Sequence, residues 1–260
     1  MNLKVFFDES GKGRDDPKLM GSLAIPSNVY DTSPFLDYSL RLRTGEIRFH
    51  WKDYSGDSAK RREIISLVEL VSRFLDVIKI NVILYTSPHS ENPNVASLDQ
   101  EMIYAKLPER VIYGLLRDAN YNVQADLFIE ESPHYTKYDL ATQLKRSLNI
   151  QSLYRGEHYY VSACTLMPKG SEIGLETMDL ILGIMRNIMR SGDPSSQSKK
   201  QSDKNSLILS MLREDDLLLS VLNKVRFFYW NNMQSLQEQS FMDYVMRFAA
   251  ANSQIYFAPK

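Results

Sequence analysis

Apolar positions follow two main periods along the chain. Short runs rich in β-branched and aromatic residues predict strands at residues 5–7, 19–25, 77–85, 123–130 and 158–166. Stretches with apolar residues three and four apart predict helices over 33–43, 58–75, 96–119, 138–148 and 172–190, the third with a kink at Pro108. Residues 46–51, Glu-Ile-Arg-Phe-His-Trp, alternate instead, which sets Glu46, Arg48 and His50 on one face of a further strand or extended segment. Beyond residue 190 the pattern changes. Residues 191–206 lack any large apolar side chain and read as a polar linker or exposed loop. Residues 207–222 and 225–251 return to the helical pattern, the second including the cluster Phe227-Phe228-Tyr229-Trp230. The expected organisation is α/β: a mixed sheet flanked by helices over 1–190, the linker, and a helical C-terminal extension over 207–260.

Composition narrows this only in part. With 43% hydrophobic and 24% charged residues in 260, the chain can bury a sizeable core. Its 31 Lys and Arg against 32 Asp and Glu leave no global basic signature, so contact with nucleic acid would need a local patch. The single cysteine, Cys164, excludes an intrachain disulfide and a Cys-rich zinc site, and its apolar neighbours make it a core residue. The first apolar run is three residues long and is followed by acids, unlike a signal peptide, and no stretch approaches a membrane span. A cytoplasmic protein without membrane contact is expected.

The chemistry lies where apolar runs stop at acids. Val5-Phe6-Phe7 ends at Asp8-Glu9 before the turn formers Ser10-Gly11, and the strand ending Phe128-Ile129 stops at Glu130-Glu131. A carboxylate that close to a buried strand needs a cation or hydrogen bonds. Side chains alternate along a strand, which favours Asp8 over Glu9 and Glu130 over Glu131 for a common site. The helix over 172–190 is apolar nearly all round except for one stripe, Glu172, Glu176, Asp179, Gly183, Arg186 and Arg190. That stripe reads equally as the wall of an anion-binding cleft with bound metal or as a solvent face. Several carboxylates together suit Mg2+ or Mn2+, and two such ions about 4 Å apart can drive phosphodiester cleavage. Lys52, Arg48 and Arg186 are candidate phosphate contacts, and His134 is the best placed histidine for proton transfer. No P-loop, dinucleotide fingerprint or serine-hydrolase elbow is present.

Phe7-Asp8-Glu9-Ser10-Gly11 resembles the opening motif of the bacterial and phage family known as domain of unknown function 3800, whose members are regarded as ribonuclease H-like. Glu46-Ile47-Arg48 is similar to that family's Glu-x-Lys motif, Phe128-Ile129-Glu130 to its acid-ended strand, and Glu176 to Gly183 to its late Gln-x-x-Asp helix followed by Gly, with Glu in place of Gln. The likeness spans residues 3–190. It implies a ribonuclease H-like fold and a metal-dependent nuclease acting on nucleic acid. Asp8, Glu46, Glu130 and Asp179 would hold two Mg2+ or Mn2+ ions, with Glu9, Glu131 and Glu176 as further or alternative ligands. The competing expectation is a non-catalytic module of the same fold that holds a protein or nucleic-acid partner. In either case the C-terminal helices are candidates for a homodimer or partner contact, and a mobile-element or phage-defence setting would make the protein an effector.

Overall fold

The computed structural model describes residues 1–11, 15–85, 100–117, 122–190, 197–213, 216–230 and 235–256. Among these, seven strands form one mixed sheet: β1 (Asn2–Ser10), β2 (Lys18–Pro26), β3 (Lys79–Tyr85), β4 (Val123–Glu130), β5 (Tyr159–Met167), β6 (Val225–Trp230) and β7 (Gln237–Gln239). Their spatial order is β5-β4-β1-β2-β3-β6-β7. β1, β2 and β3 run as an antiparallel meander, while β4 lies parallel to β1 and β5 parallel to β4.

Val5, Phe6 and Phe7 are fully buried because helices cover both faces of the sheet, as a continuous apolar run requires. Phe6 points into the core beneath α7 (Ile173–Arg190), and Phe7 into the core beneath α4 (Gln100–Leu116) and α6 (Leu140–Arg155). Phe7 pairs in register with Ile129, so the next residues, Asp8 and Glu130, emerge together at one end of the sheet. Seating α7 on that end depends on glycine. A β-carbon at Gly174 would collide with the Phe6 ring, and one at Gly183 with Trp51. The remaining helices in chain order are α1 (Ser27–Tyr30), α2 (Ser33–Arg43), α3 (Ser58–Ser72), α5 (Pro133–Lys137), α8 (Lys199–Arg213), α9 (Leu217–Lys224), α10 (Met242–Ala251) and α11 (Ser253–Tyr256). Asp57 caps α3 by accepting the Lys60 amide at 2.8 Å.

The mixed α/β class and the C-terminal helices are present as expected. The helical reading of 225–251 is corrected over its first part: β6 pairs parallel with β3, through Ile80 beside Val225 to Tyr85 beside Trp230, and antiparallel with β7, and the helix α10 begins only at Met242. Its side chains follow period two, Phe227 into the core under α7 and Phe228 toward the opposite one, and pairing with β3 and β7 selects that period over the helical one. The polar stretch 191–206 also differs from a loop, because α8 begins inside it at Lys199. Asn205 is buried there without cost to its amide: it bonds Asn187 at 2.6 Å, Gln201 at 3.1 Å and Gln197 at 2.7 Å. Residues 191–196, and the ends of the expected 96–119 helix at 96–99 and 118–119, lie outside the described residues. Glu46 is a bend and residues 47–50 join no strand, the Glu46 and Ile47 amides donating to the Arg41 carbonyl at 2.9 and 3.3 Å, before a 3-10 turn at Trp51–Asp53. Among the described residues no helix is long and apolar enough to cross a membrane.

Candidate active site

Asp8 from β1, Glu130 from β4 and Asp179 from the middle of α7 line one cleft of about 540 Å3. Asp8 is buried, at 6% exposure, and its Oδ1 accepts the Glu9 amide at 2.7 Å. Burial, then the charges of Asp179 and Glu130, hold its proton affinity well above that of an ordinary aspartate, against the opposing effects of the Glu9 amide and Lys169. Asp179 is fixed by two donors: its Oδ2 lies 3.3 Å from His50 Nδ1 and accepts the Trp51 amide at 3.4 Å. That hydrogen bond raises the His50 pKa. Glu176 lies one turn before Asp179, buried, with Oε1 accepting the Gly170 amide at 2.9 Å. Burial and then Asp179 push its carboxyl up to about 7.

A cation stands among these acids. Lys169, in the loop between β5 and α7, places Nζ 3.3 Å from each oxygen of Glu130. Burial alone would depress its pKa, but Asp179, Glu130, Asp8 and Glu176 together raise it. Further bases line the same cleft beside Trp51. Lys204 of α8 is 9% exposed, with Nζ 3.4 Å from the Lys52 carbonyl and 5.2 Å above the Trp51 ring. Burial, then Lys200, push its ammonium down to about 8. Lys52 is exposed at the same cleft. Arg186 also lines it, but its guanidinium is engaged: Nε donates to the Pro17 carbonyl at 2.8 Å and Nη2 pairs with Asp15 at 2.9 Å.

The structure therefore gathers Asp8, Glu130, Asp179, Lys52 and Arg186 around one space, with Glu176 beside it in an adjoining cavity. The other candidates are placed elsewhere. Glu46 is 59% exposed at its side chain and pairs with Arg41 at 2.7 Å, outside the cleft lining. Glu9 reaches the cleft edge, yet its charge acts on Tyr85, Tyr104 and Tyr135 across the sheet, as strand alternation requires. Glu131 borders a shallow depression with Pro133 and Thr136, and its amide donates to Met167 at 2.9 Å. Arg48 is exposed in the adjoining cavity, and His134 stacks on Tyr104 at 5.5 Å. Cys164 carries no nucleophile at neutral pH, since burial pushes its thiol up to about 12.

His50, Lys169 and Lys204 are the site residues that sequence reasoning missed. His50 shared a predicted face with Glu46 and Arg48, which was a usable signal. Lys169 and Lys204 sit in polar stretches with no periodicity to mark them. Among the described residues no group of three or more His, Cys, Asp or Glu side chains converges closely enough to hold a metal ion.

No protein-family model matches the chain, and no curated protein matches it. Among solved structures it is similar to a point-mutant form of Bst-RNase HIII, with 11% sequence identity and a TM-score of 0.39. That match covers 84% of this chain and 64% of the other, so this chain spans less than two thirds of that protein's length. The comparison identifies a distant structural likeness to a ribonuclease H protein.

Proposed function

We propose that the cleft is the centre of a divalent-metal-dependent phosphodiesterase acting on nucleic acid in the cytoplasm, on the ribonuclease H-like plan that the ordered sequence motifs, similar to those of domain of unknown function 3800, imply. The observation that carries this reading is the meeting of Asp8, Glu130 and Asp179, from three separate elements, with two of them raising the proton affinity of the third. Carboxylates that repel one another this way draw positive charge, of which Lys169 already supplies one. Hard carboxylate oxygens suit Mg2+ or Mn2+, which Asp8, Glu130 and Asp179 would hold, with Glu176 a further ligand, only after drawing closer together than they stand in this structure. A bound ion would supply a lowered pKa for coordinated water and neutralise charge on the phosphate.

The chain's own residues account for the rest. His50 and the Trp51 amide orient the Asp179 carboxylate. Lys204 and Lys52, in the same lining, present positive charge to a phosphodiester. Lys169 neutralises Glu130 and must give way, or turn toward the phosphate, for Glu130 to act as a ligand.

Lys169 also motivates a second reading, a binding module of the same fold whose acids are permanently balanced by an internal ammonium. One assay separates the two: the purified chain is incubated with Mg2+ or Mn2+ and with single- and double-stranded DNA and RNA. An enzyme cleaves at least one substrate, and loses that cleavage with EDTA, Asp8→Asn or Asp179→Asn. Absence of cleavage on every substrate and metal, or cleavage indifferent to both substitutions, overturns the enzymatic reading.

A further inference from the structure

A further cavity, of about 570 Å3, opens on the other face of the sheet, between α4 and strands β3 and β6. Alternation along β3 turns Ile80 and Val82 toward α7 but Asn81 and Ile83 toward this cavity. Asn81 is 2% exposed and helps form the floor, its Nδ2 donating to the Val111 carbonyl at 3.4 Å. Gly114 makes room for it, since a β-carbon there would stand 2.7 Å from the Asn81 amide nitrogen. The wall carries Phe228, with the Arg226 guanidinium 5.3 Å above its ring.

The rim is basic. Lys106, Arg110, Arg117, Arg155 and Arg226 line the cavity against two carboxylates, Glu109 and Glu238. Both carboxylates are already engaged. Glu238 receives Arg226 through two bonds of 2.9 Å and also feels the charge of Arg117, while Glu109 takes Lys106 at 3.1 Å and the Gln151 amide. Three more cations than acids at one cavity is a local excess in a chain whose net charge is -1. The acidic cleft shows no such excess, its lining holding acids and Lys or Arg in equal number.

We propose that this cavity is a nucleotide site, independent of the cleft's activity, with the base directed inward to Asn81 and Phe228 and the phosphates held at the rim by Arg110, Arg117 and Arg155. The volume suits one small ligand. A buried amide beside an aromatic wall suits a planar, hydrogen-bonding base, and guanidinium forks suit phosphate oxygens. The cations ring a single cavity and so fit a compact anion better than a strand. The test is calorimetric titration of the full chain in EDTA with ATP, GTP, adenosine, tripolyphosphate and a short single-stranded DNA. A nucleoside triphosphate should bind saturably with one site per chain, more tightly than adenosine or tripolyphosphate. The exposed pair Arg110→Ala/Arg155→Ala should weaken it at least about tenfold with an unchanged melting temperature. No saturable nucleotide binding, binding unaltered in the double variant, tripolyphosphate as tight as ATP and GTP, or the oligonucleotide binding in preference to both would each overturn the assignment.

Discussion

Glu176→Gln tests whether burial and Asp179 disfavour a charge on Glu176 beside the cleft. In the folded chain, burial and Asp179 raise the Glu176 pKa from 4.5 to about 7. The folded state then holds a proton that the unfolded chain has released, so this group's stabilising contribution is complete below pH 4.5 and is lost as pH rises through 7. At about 1.4 kcal/mol for each pH unit between the two values, ionised Glu176 costs on the order of 3 kcal/mol at pH 8. Glutamine keeps an oxygen for the Gly170 amide and has no charge to bury. In EDTA the variant should therefore be more stable than the parent by about 2 to 3 kcal/mol at pH 8, and by less than about 1 kcal/mol at pH 5. For a chain of this length that corresponds to about 4 to 6 °C in melting temperature at the higher pH. Chemical denaturation at the two pH values measures it. Equal stability at pH 8, or a destabilised variant at both, would refute the claim that burial and Asp179 hold Glu176 protonated against Lys169.

Other outcomes follow from the same geometry. Lys169→Met removes the ammonium that occupies Glu130 and should tighten Mn2+ binding about tenfold by calorimetry, whereas weaker binding would make Lys169 an ally of the metal rather than its competitor. Gly183→Ala drives a methyl group into Trp51 and should destabilise the chain by about 1 to 3 kcal/mol in urea, because α7 has to lift from the segment that carries His50. Glu46→Ala should leave Mn2+ affinity unchanged and alter stability by less than about 1 kcal/mol, since it breaks an exposed pair with Arg41. A marked loss of metal binding in that variant would return Glu46 to the site.

The strands ending in Asp8 and Glu130 were legible because a continuous apolar run that stops at an acid reports burial and its end without knowledge of any partner. The polar stripe of α7 left two readings open, and the tertiary contacts count against the solvent face. Asp179 meets His50, and Glu172 is buried against Tyr30 at 2.8 Å and Arg43, so the stripe is no solvent face. Glu46 followed the order of motifs rather than a geometry, and chain order does not fix where an extended segment points. The segment from Val225 to Trp230 carries aromatic residues compatible with either period, and the hydrogen bonds that settle it come from β3, more than a hundred residues earlier. Lys169 and Lys204 matter through what surrounds them, which no local pattern encodes.

The central claim, that Asp8, Glu130 and Asp179 form a divalent-metal centre, is tested most directly by a crystal soaked in Mn2+ with anomalous diffraction measured at the manganese edge. The account expects at least one anomalous peak about 2 Å from oxygens of Asp8 and Asp179, with Glu130 turned from Lys169 to join it. A cleft without a peak, Lys169 still bound to Glu130 and manganese at other carboxylates would contradict it.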